Sequence, residues 1–176
     1  MKKTILPLLI IIIASFGFAP ANTVTRSAIT FQTKNMGIGV SGIIGGLQAN
    51  VQFNAATLAS SSIEASVDVN TINTDNSSRD DHLKSDEFFD IAHYPKITIK
   101  SVSFKHKSGS NYTGVFNLTI KGKTKQVEIP FTITEKGNEL AFKSSFKLNR
   151  LDYGIGESSM VLSDNVIVNI DAEVGD

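Results

Sequence analysis

The stretch Ser77–Lys96, SSRDDHLKSDEFFDIAHYPK, gathers chemistry-bearing side chains more densely than any other part of the chain. It holds two of the three histidines (His82, His93), five acids (Asp80, Asp81, Asp86, Glu87, Asp90) and the pair Phe88-Phe89. His82 and Asp86 stand i, i+4, a spacing that puts two side chains on one helix face, and with His93 they offer nitrogen and carboxylate ligands to a metal. The pattern is incomplete for that chemistry. There is no His-Glu-x-x-His motif and no second ligand cluster, and His106 lies between Lys105 and Lys107, which repel a cation. The carboxylate pairs Asp80-Asp81 and Asp86-Glu87 are sequence neighbours, which do not face each other on a helix and so make no acid–base couple. No Gly-x-Ser-x-Gly elbow occurs, and GESSM at Gly156–Met160 is not one. We therefore assign no catalytic residue and no metal. The segment reads as a capped helix, from about Arg79 to Ser85, followed by a loop. Asn76, Ser77 or Ser78 caps it, and Asp80 and Asp81 suit the positive end of its dipole. Leu83, Phe88, Phe89, Ile91 and Tyr94 point inward, until Pro95 forces the backbone before it into extended geometry.

The rest of the chain must position this segment, and its period is two. Phe116, Leu118 and Ile120 alternate with polar residues, as do Val127, Ile129, Phe131 and Ile133, and Lys121-Gly122-Lys123-Thr124 joins the two runs as a hairpin turn. The alternation recurs at Ile29/Phe31, Leu47/Ala49/Val51/Phe53, Ile63/Ala65/Val67/Val69, Ile97/Ile99, Phe142/Phe146/Leu148 and Val166 to Val174. Polar or glycine-bearing turns separate these runs, the longest at Gly37 to Gly46. About eight strands at this spacing define an all-β sandwich or barrel.

Composition narrows the function classes. Lys2 and Lys3 precede an apolar run that ends in Ala19-Pro20-Ala21, the order of a secretory signal peptide, with cleavage expected after Ala21. Residues 22–176 then form one domain, with 15 basic and 17 acidic side chains. That balance gives no electrostatic reason to bind nucleic acid or an anionic membrane surface. The absence of cysteine rules out disulfides, thiol catalysis and lipid anchoring through a thiol. A membrane barrel is disfavoured as well: there is no Trp for an aromatic girdle, and the polar strand faces carry Lys143, Lys147, Asp171 and Glu173. The sequons at Asn76, Asn111 and Asn117 are short enough to arise by chance, and no function is assigned to them.

Three motifs carry a likeness. Arg79-Asp80-x-His82-Leu83-x-Ser85-x-x-Phe88-Phe89-Asp90 with Tyr94-Pro95-x-Ile97, the hairpin YTGVFNLTIKGKTKQVEIPFTI, and FKLNRLDYGIG with Arg150, Asp152, Tyr153, Gly154 and Ile155 together resemble the bacterial YceI family of periplasmic lipid-binding proteins. ITFQTKNMGIGVSGIIGGLQANVQFN is similar to the family's first hairpin, with Asn35 where many members carry histidine. The resemblance implies an all-β fold: a single antiparallel eight-stranded lipocalin-like barrel, with a short helix and loop inserted around residues 77–95. Its cavity would hold a long-chain isoprenoid or fatty-acid-like amphiphile, in a periplasmic or secreted protein.

An eight-stranded barrel can enclose one small ligand or be filled by its own side chains, and the alternation does not separate these cases. The inward positions are Phe31, Val51, Phe53, Val67, Val69, Ile99, Phe116, Leu118, Phe131, Phe142 and Phe146, with Leu83, Phe88, Phe89 and Tyr94 contributed by the cap. The two readings are thus a lipid carrier or store and a filled-core structural or stress-response barrel. No cofactor beyond a bound lipid is expected, and no stable membrane insertion; a homodimer stays open. Arg150 and Asp152, spaced i, i+2 on one side of an extended chain, are expected to form an ion pair with the Arg79-Asp80 region, where His82 and Arg79 tie the cap down.

Overall fold

In the computed structural model, residues 22–175 are described, and the expected signal peptide lies outside them. They form nine strands: β1 (Thr23–Asn35), β2 (Ile38–Ile44), β3 (Gln48–Gln52), β4 (Ser62–Asp68), β5 (Lys96–Ser108), β6 (Asn111–Ile120), β7 (Lys123–Lys136), β8 (Glu139–Asn149) and β9 (Asn165–Gly175). The strands make one antiparallel sheet in the order β2-β1-β9-β8-β7-β6-β5-β4-β3, curled into a half-barrel. From β3 to β9 the sheet is a meander, each strand pairing with the next. The N-terminal hairpin is joined on through β1 and β9, where Thr23 faces Gly175 and Gln32 faces Ile167.

Period-two burial accounts for the strands. Along β6, Phe116, Leu118 and Ile120 are buried while the intervening side chains are less so, and β7 buries Ile129, Phe131 and Ile133. Their hairpin turns at Lys121 (φ 47) and Gly122 (φ 71), the paired left-handed conformation that matches strand twist. The strand beyond the eight expected is β2, which lies inside the glycine-rich Gly37–Gly46 stretch that the sequence reads as a turn. Gly42 explains the glycine there. It is buried, and a side chain in its place would meet Phe31 Cζ at 2.4 Å and Thr74 Cγ2 at 2.7 Å.

The outer strands of the sheet do not share a ladder. Asn22 forms a single bridge with Ala49, its Oδ1 accepting from Val51 N–H. β2 is tied to the loop before the helix by reciprocal bonds between Ile43 and Asn73, at 2.8 and 3.1 Å. The half of the interior toward the β5–β6 turn is filled by aromatic edges: the Phe53 ring centroid lies 5.7 Å from that of Phe104 and 5.0 Å from that of Tyr112.

Helix α1 (Ser77–Lys84) begins two residues before the expected start. Asn76 caps it, its Oδ1 accepting from Arg79 N–H at 2.9 Å. None of its residues is fully buried, and eight residues are too few for a stable isolated helix. Tertiary contacts must hold it, and they come from the segment that follows.

Candidate functional site

The other half of the barrel is open inside. A cavity of about 280 Å³ runs along the concave face, near the lower edge of the range usual for small-molecule sites, roughly 300–1,000 Å³. Its wall is apolar: Thr33, Ser144 and Arg150 border it, but their polar atoms are turned to backbone carbonyls and to Asp164. Twelve of the fifteen expected positions line it. Phe31, Val51, Val67 and Ile99 come from β1, β3, β4 and β5, while Phe116 and Leu118 come from β6, Phe131 from β7, and Phe142 and Phe146 from β8. Leu83, Phe88 and Phe89 reach in from the cap.

Three expected positions do not line the cavity. Phe53 belongs to the filled half, against Phe104, Tyr112 and Phe131, because it lies just past the end of β3. Val69 does not continue the alternation of β4. A 3-10 turn over Val69–Thr71, with Asp68 Oδ1 accepting from Asn70 N–H, rotates it into the protein body, where it is 1% exposed. Asn70 Nδ2 also donates to Asp68 Oδ1, at 2.9 Å, and this side-chain bond first and the backbone bond second hold the pKa of the Asp68 carboxyl below its ordinary value. Tyr94 is 39% exposed and lies across Gly122 on the rim, since its N–H bonds to Asp90 O at 2.8 Å and Pro95 turns the chain away. The sequence reasoning also left out much of the opposite wall, notably Ile29, Thr33, Ile155, Leu162, Val166, Val168 and Ile170. Apart from Ile155 and Leu162, these stand at alternate positions of β1 and β9, and all of those but the polar Thr33 carry the apolar signal that located the others.

The cap closes one end through backbone bonds. Phe89 N–H donates to Leu83 O (3.0 Å) and Asp90 N–H to Ser85 O (2.8 Å), which turns both phenylalanines under the helix. Gly156 N–H donates to Glu87 O at 3.0 Å. The Lys121 ammonium, from the β6–β7 turn, donates to Asp86 O (2.6 Å), Glu87 O (3.3 Å) and Gly154 O (3.1 Å). One lysine thus joins the cap, the hairpin turn and the loop after β8.

The two histidines of the cap face outward. His82 Nε2 lies 2.9 Å from Glu87 Oε2 and its ring packs edge-on against Phe88, while His93 Nδ1 lies 2.8 Å from Asp90 Oδ1. Neither histidine lines the cavity. Among the described residues no three His, Asp or Glu side chains are placed to hold a metal. Arg79 and Asp80 both turn to Thr74, a buried residue of the preceding loop. Arg79 Nε donates to its Oγ1 and Nη2 to its carbonyl, both at 2.7 Å, and Asp80 Oδ1 accepts from its N–H at 2.9 Å.

Arg150 is elsewhere, and the expected ion pair with the Arg79-Asp80 region does not form. Arg150–Tyr153 is a 3-10 turn rather than extended strand, so Arg150 and Asp152 do not share a side. The Arg150 side chain is 3% exposed and is spent on the loop that follows. Nε donates to Ser163 O (3.1 Å), Nη1 to Ile155 O (2.8 Å), and Nη2 to Glu157 O (2.8 Å) and Asp164 Oδ1 (3.0 Å). Asp164 is the partner that sequence spacing did not single out. Tyr153, 1% exposed, packs beside Leu118, Ile120 and Ile155, and its hydroxyl has no hydrogen-bond partner among the described residues. Burial, and then the negative charge of Asp152, push its pKa above the ordinary value.

The curled sheet holds apolar volume behind a lysine-latched cap, and its fold is shared by known proteins. The described chain superposes on Burkholderia cenocepacia BcnA with a TM-score of 0.79 at 24% identity, over 84% of this chain and 95% of that one. It superposes on the Campylobacter jejuni YCEI protein with a TM-score of 0.69 at 24% identity, over 77% and 84%. A polyisoprenoid binding domain from Saccharophagus degradans gives a TM-score of 0.68 at 14% identity, over 88% and 97%. In sequence, the UPF0312 protein YE1254 of Yersinia enterocolitica is 29% identical over 124 residues, which is 69% of this chain and 64% of that protein. A UPF0312 protein of Yersinia pestis is 27% identical over the same length. The YceI-like domain model matches residues 22–174, the cap motif, the hairpin and the Arg150 turn among them, and the chain belongs to that family.

Proposed function

We propose that the protein is a binding protein that holds a long-chain isoprenoid or similar amphiphilic lipid in the barrel cavity, for carriage or storage outside the cytoplasm. The observation that carries this reading is the cavity itself: about 280 Å³ behind walls of aliphatic and aromatic side chains. An apolar chain placed there leaves water at roughly 25 cal/mol for each Å² it buries. The polyisoprenoid binding domain with the same fold supports the ligand class. The filled-core alternative fits only the half of the barrel around Phe53, Phe104 and Tyr112. Catalysis is not part of the proposal, because the histidines of the cap are paired with carboxylates on its outer side. Export rests on residues 1–21 and belongs to the same proposal.

Native mass spectrometry of protein purified from its host, followed by solvent extraction, tests this. A co-purifying amphiphile, absent from Phe116→Glu protein that remains folded, is the expected result. Protein that emerges empty and takes up no long-chain lipid on titration overturns the proposal.

A further inference from the structure

Two loop tips at the capped end of the barrel carry large apolar side chains in full view of solvent. Met36 (74% exposed) and Ile38 (71%) sit on the β1–β2 turn, and Met160 (105%) and Val161 (50%) sit on the loop before β9. The tips are joined: Met36 N–H donates to Val161 O at 2.8 Å, Ser163 N–H donates to Lys34 O at 2.9 Å, and Asn35 bridges Leu162. The patch is continuous with the cavity, since Leu162 and Thr33, beside the two tips, both line it.

The β1–β2 turn breaks two local rules at one residue. Met36 has φ 52 and Gly37 φ 79, a two-residue turn that favours Asn-Gly. Methionine there sets a large side chain in the left-handed region and also exposes it. Such doubled departures from local preference mark functional positions. Charge is missing as well. From Asn35 to Ile63, and from Ser158 to Ser163, the sequence has no charged residue. Four side chains on two narrow tips fall well short of the roughly 800 Å² per partner of a standard protein interface. Protruding uncharged apolar tips suit a different surface, the boundary between headgroups and acyl chains, which apolar faces penetrate by about 5–10 Å.

We propose that these two tips dock the protein on a neutral lipid bilayer, immersing Met36, Ile38, Met160 and Val161 next to the Thr33–Leu162 end of the cavity. The docking is peripheral and spans nothing. It deepens the lipid-carrier reading and rests on it for its purpose, since a cargo that dissolves in bilayers is exchanged most directly at the bilayer surface. Its test reports the tips alone and is independent of cargo.

The chain has no cysteine, so a single one can be placed and labelled with an environment-sensitive nitrobenzoxadiazole. The full chain is labelled at Met160→Cys, at Met36→Cys, and at Ser108→Cys on the far end of β5 as control, and titrated with phosphatidylcholine vesicles. The two tip labels are expected to shift to the blue and brighten severalfold, to be quenched by brominated acyl chains, and to do so equally in high salt. The control is expected to stay unchanged. With the reporter at Met160→Cys, adding Met36→Ser and Ile38→Ser should raise the half-saturating vesicle concentration at least about tenfold, the equivalent of one buried apolar side chain. Tip labels that stay in water, labels that respond only to anionic vesicles at low salt, or a response matched by the control overturn the proposal. A blue shift without vesicles, accompanied by a doubled mass in light scattering, overturns it in favour of a second copy as the occupant.

Discussion

Arg150 Nη2 lies 3.0 Å from Asp164 Oδ1 across a thirteen-residue loop, with the arginine side chain 3% exposed and the aspartate 38%. The same guanidinium donates to the carbonyls of Ile155, Glu157 and Ser163. One buried cation is therefore the organising centre of the loop that carries the second apolar tip.

Arg150→Ala is expected to cost about 3 kcal/mol or more, because several carbonyls and a carboxylate lose their donor together. Lys147→Ala, on the exposed face of β8, is expected to stay within about 0.5 kcal/mol. Urea unfolding of the two variants side by side checks this; equal small effects would remove Arg150 from the network.

The orphan hydroxyl of Tyr153 makes an opposite prediction. Tyr153→Phe should raise stability at neutral pH by about 1 kcal/mol, since a buried donor without a partner carries its full desolvation penalty. The folded-state pKa of Tyr153 lies above the ordinary 10.0, through burial first and the charge of Asp152 second. The stability linked to it is complete below 10.0 and is lost as pH rises from there through the folded value. Alkaline denaturation should therefore begin at higher pH in Tyr153→Phe than in the parent, as circular dichroism during a base titration would show.

Gly42→Ala places a methyl group 2.4 Å from Phe31 Cζ, closer than any real contact. The Phe31 ring must give way, and its other side is the cavity. We expect a loss of about 1–3 kcal/mol together with weaker uptake of a fluorescent long-chain fatty-acid analogue. Unchanged uptake with lowered stability would place the shift elsewhere.

The cap separates packing from polar contact. Phe88→Ala with Phe89→Ala should destabilise the fold by several kcal/mol, at about 3 kcal/mol or more per ring, or speed release of a bound probe. His82→Gln, on the outer side, should leave probe retention nearly unchanged. Stopped-flow dilution distinguishes them, and a His82→Gln variant that loses a metal or a hydrolytic activity while staying folded would restore the active-site reading of this segment.

What the sequence made legible follows the pleat. Wherever apolar residues alternate without interruption, as in Phe116–Ile120 and Val127–Ile133, strand, hairpin and inward face could be read directly. β2 was hidden because Gly39, Gly42 and Gly45 resemble turn punctuation. The need for glycine at Gly42 comes from Phe31 and Thr74, which approach it only in three dimensions. Val69 and Arg150 were misplaced for a shared reason: each begins a 3-10 turn at a strand end, so extended-chain counting fails just there. The Arg150–Asp164 pair was invisible because loop closure, not spacing, sets it. The cap motif declared its inward phenylalanines, but not the Lys121 latch, whose three acceptors are backbone carbonyls that sequence does not distinguish.

The pairing of β1 with β9 also sets an order of events. Residues 23–35 are made before the other strands, yet their longest ladder is with residues 165–175, and the other neighbour, β2, supplies only a two-stranded ribbon, marginal by itself in water. The meander from β3 to β8 can assemble while the chain is still emerging, whereas the leading hairpin has nothing to dock on until β9 is complete. Synthesis thus leaves the first strand in waiting, with Ile29 and Phe31 uncovered, and the last wall of the fold is built from the first strand made. A chain so ordered gains its full stability only when β9 has joined β1, and until then its unfinished edge is open to a chaperone that handles unfolded chains.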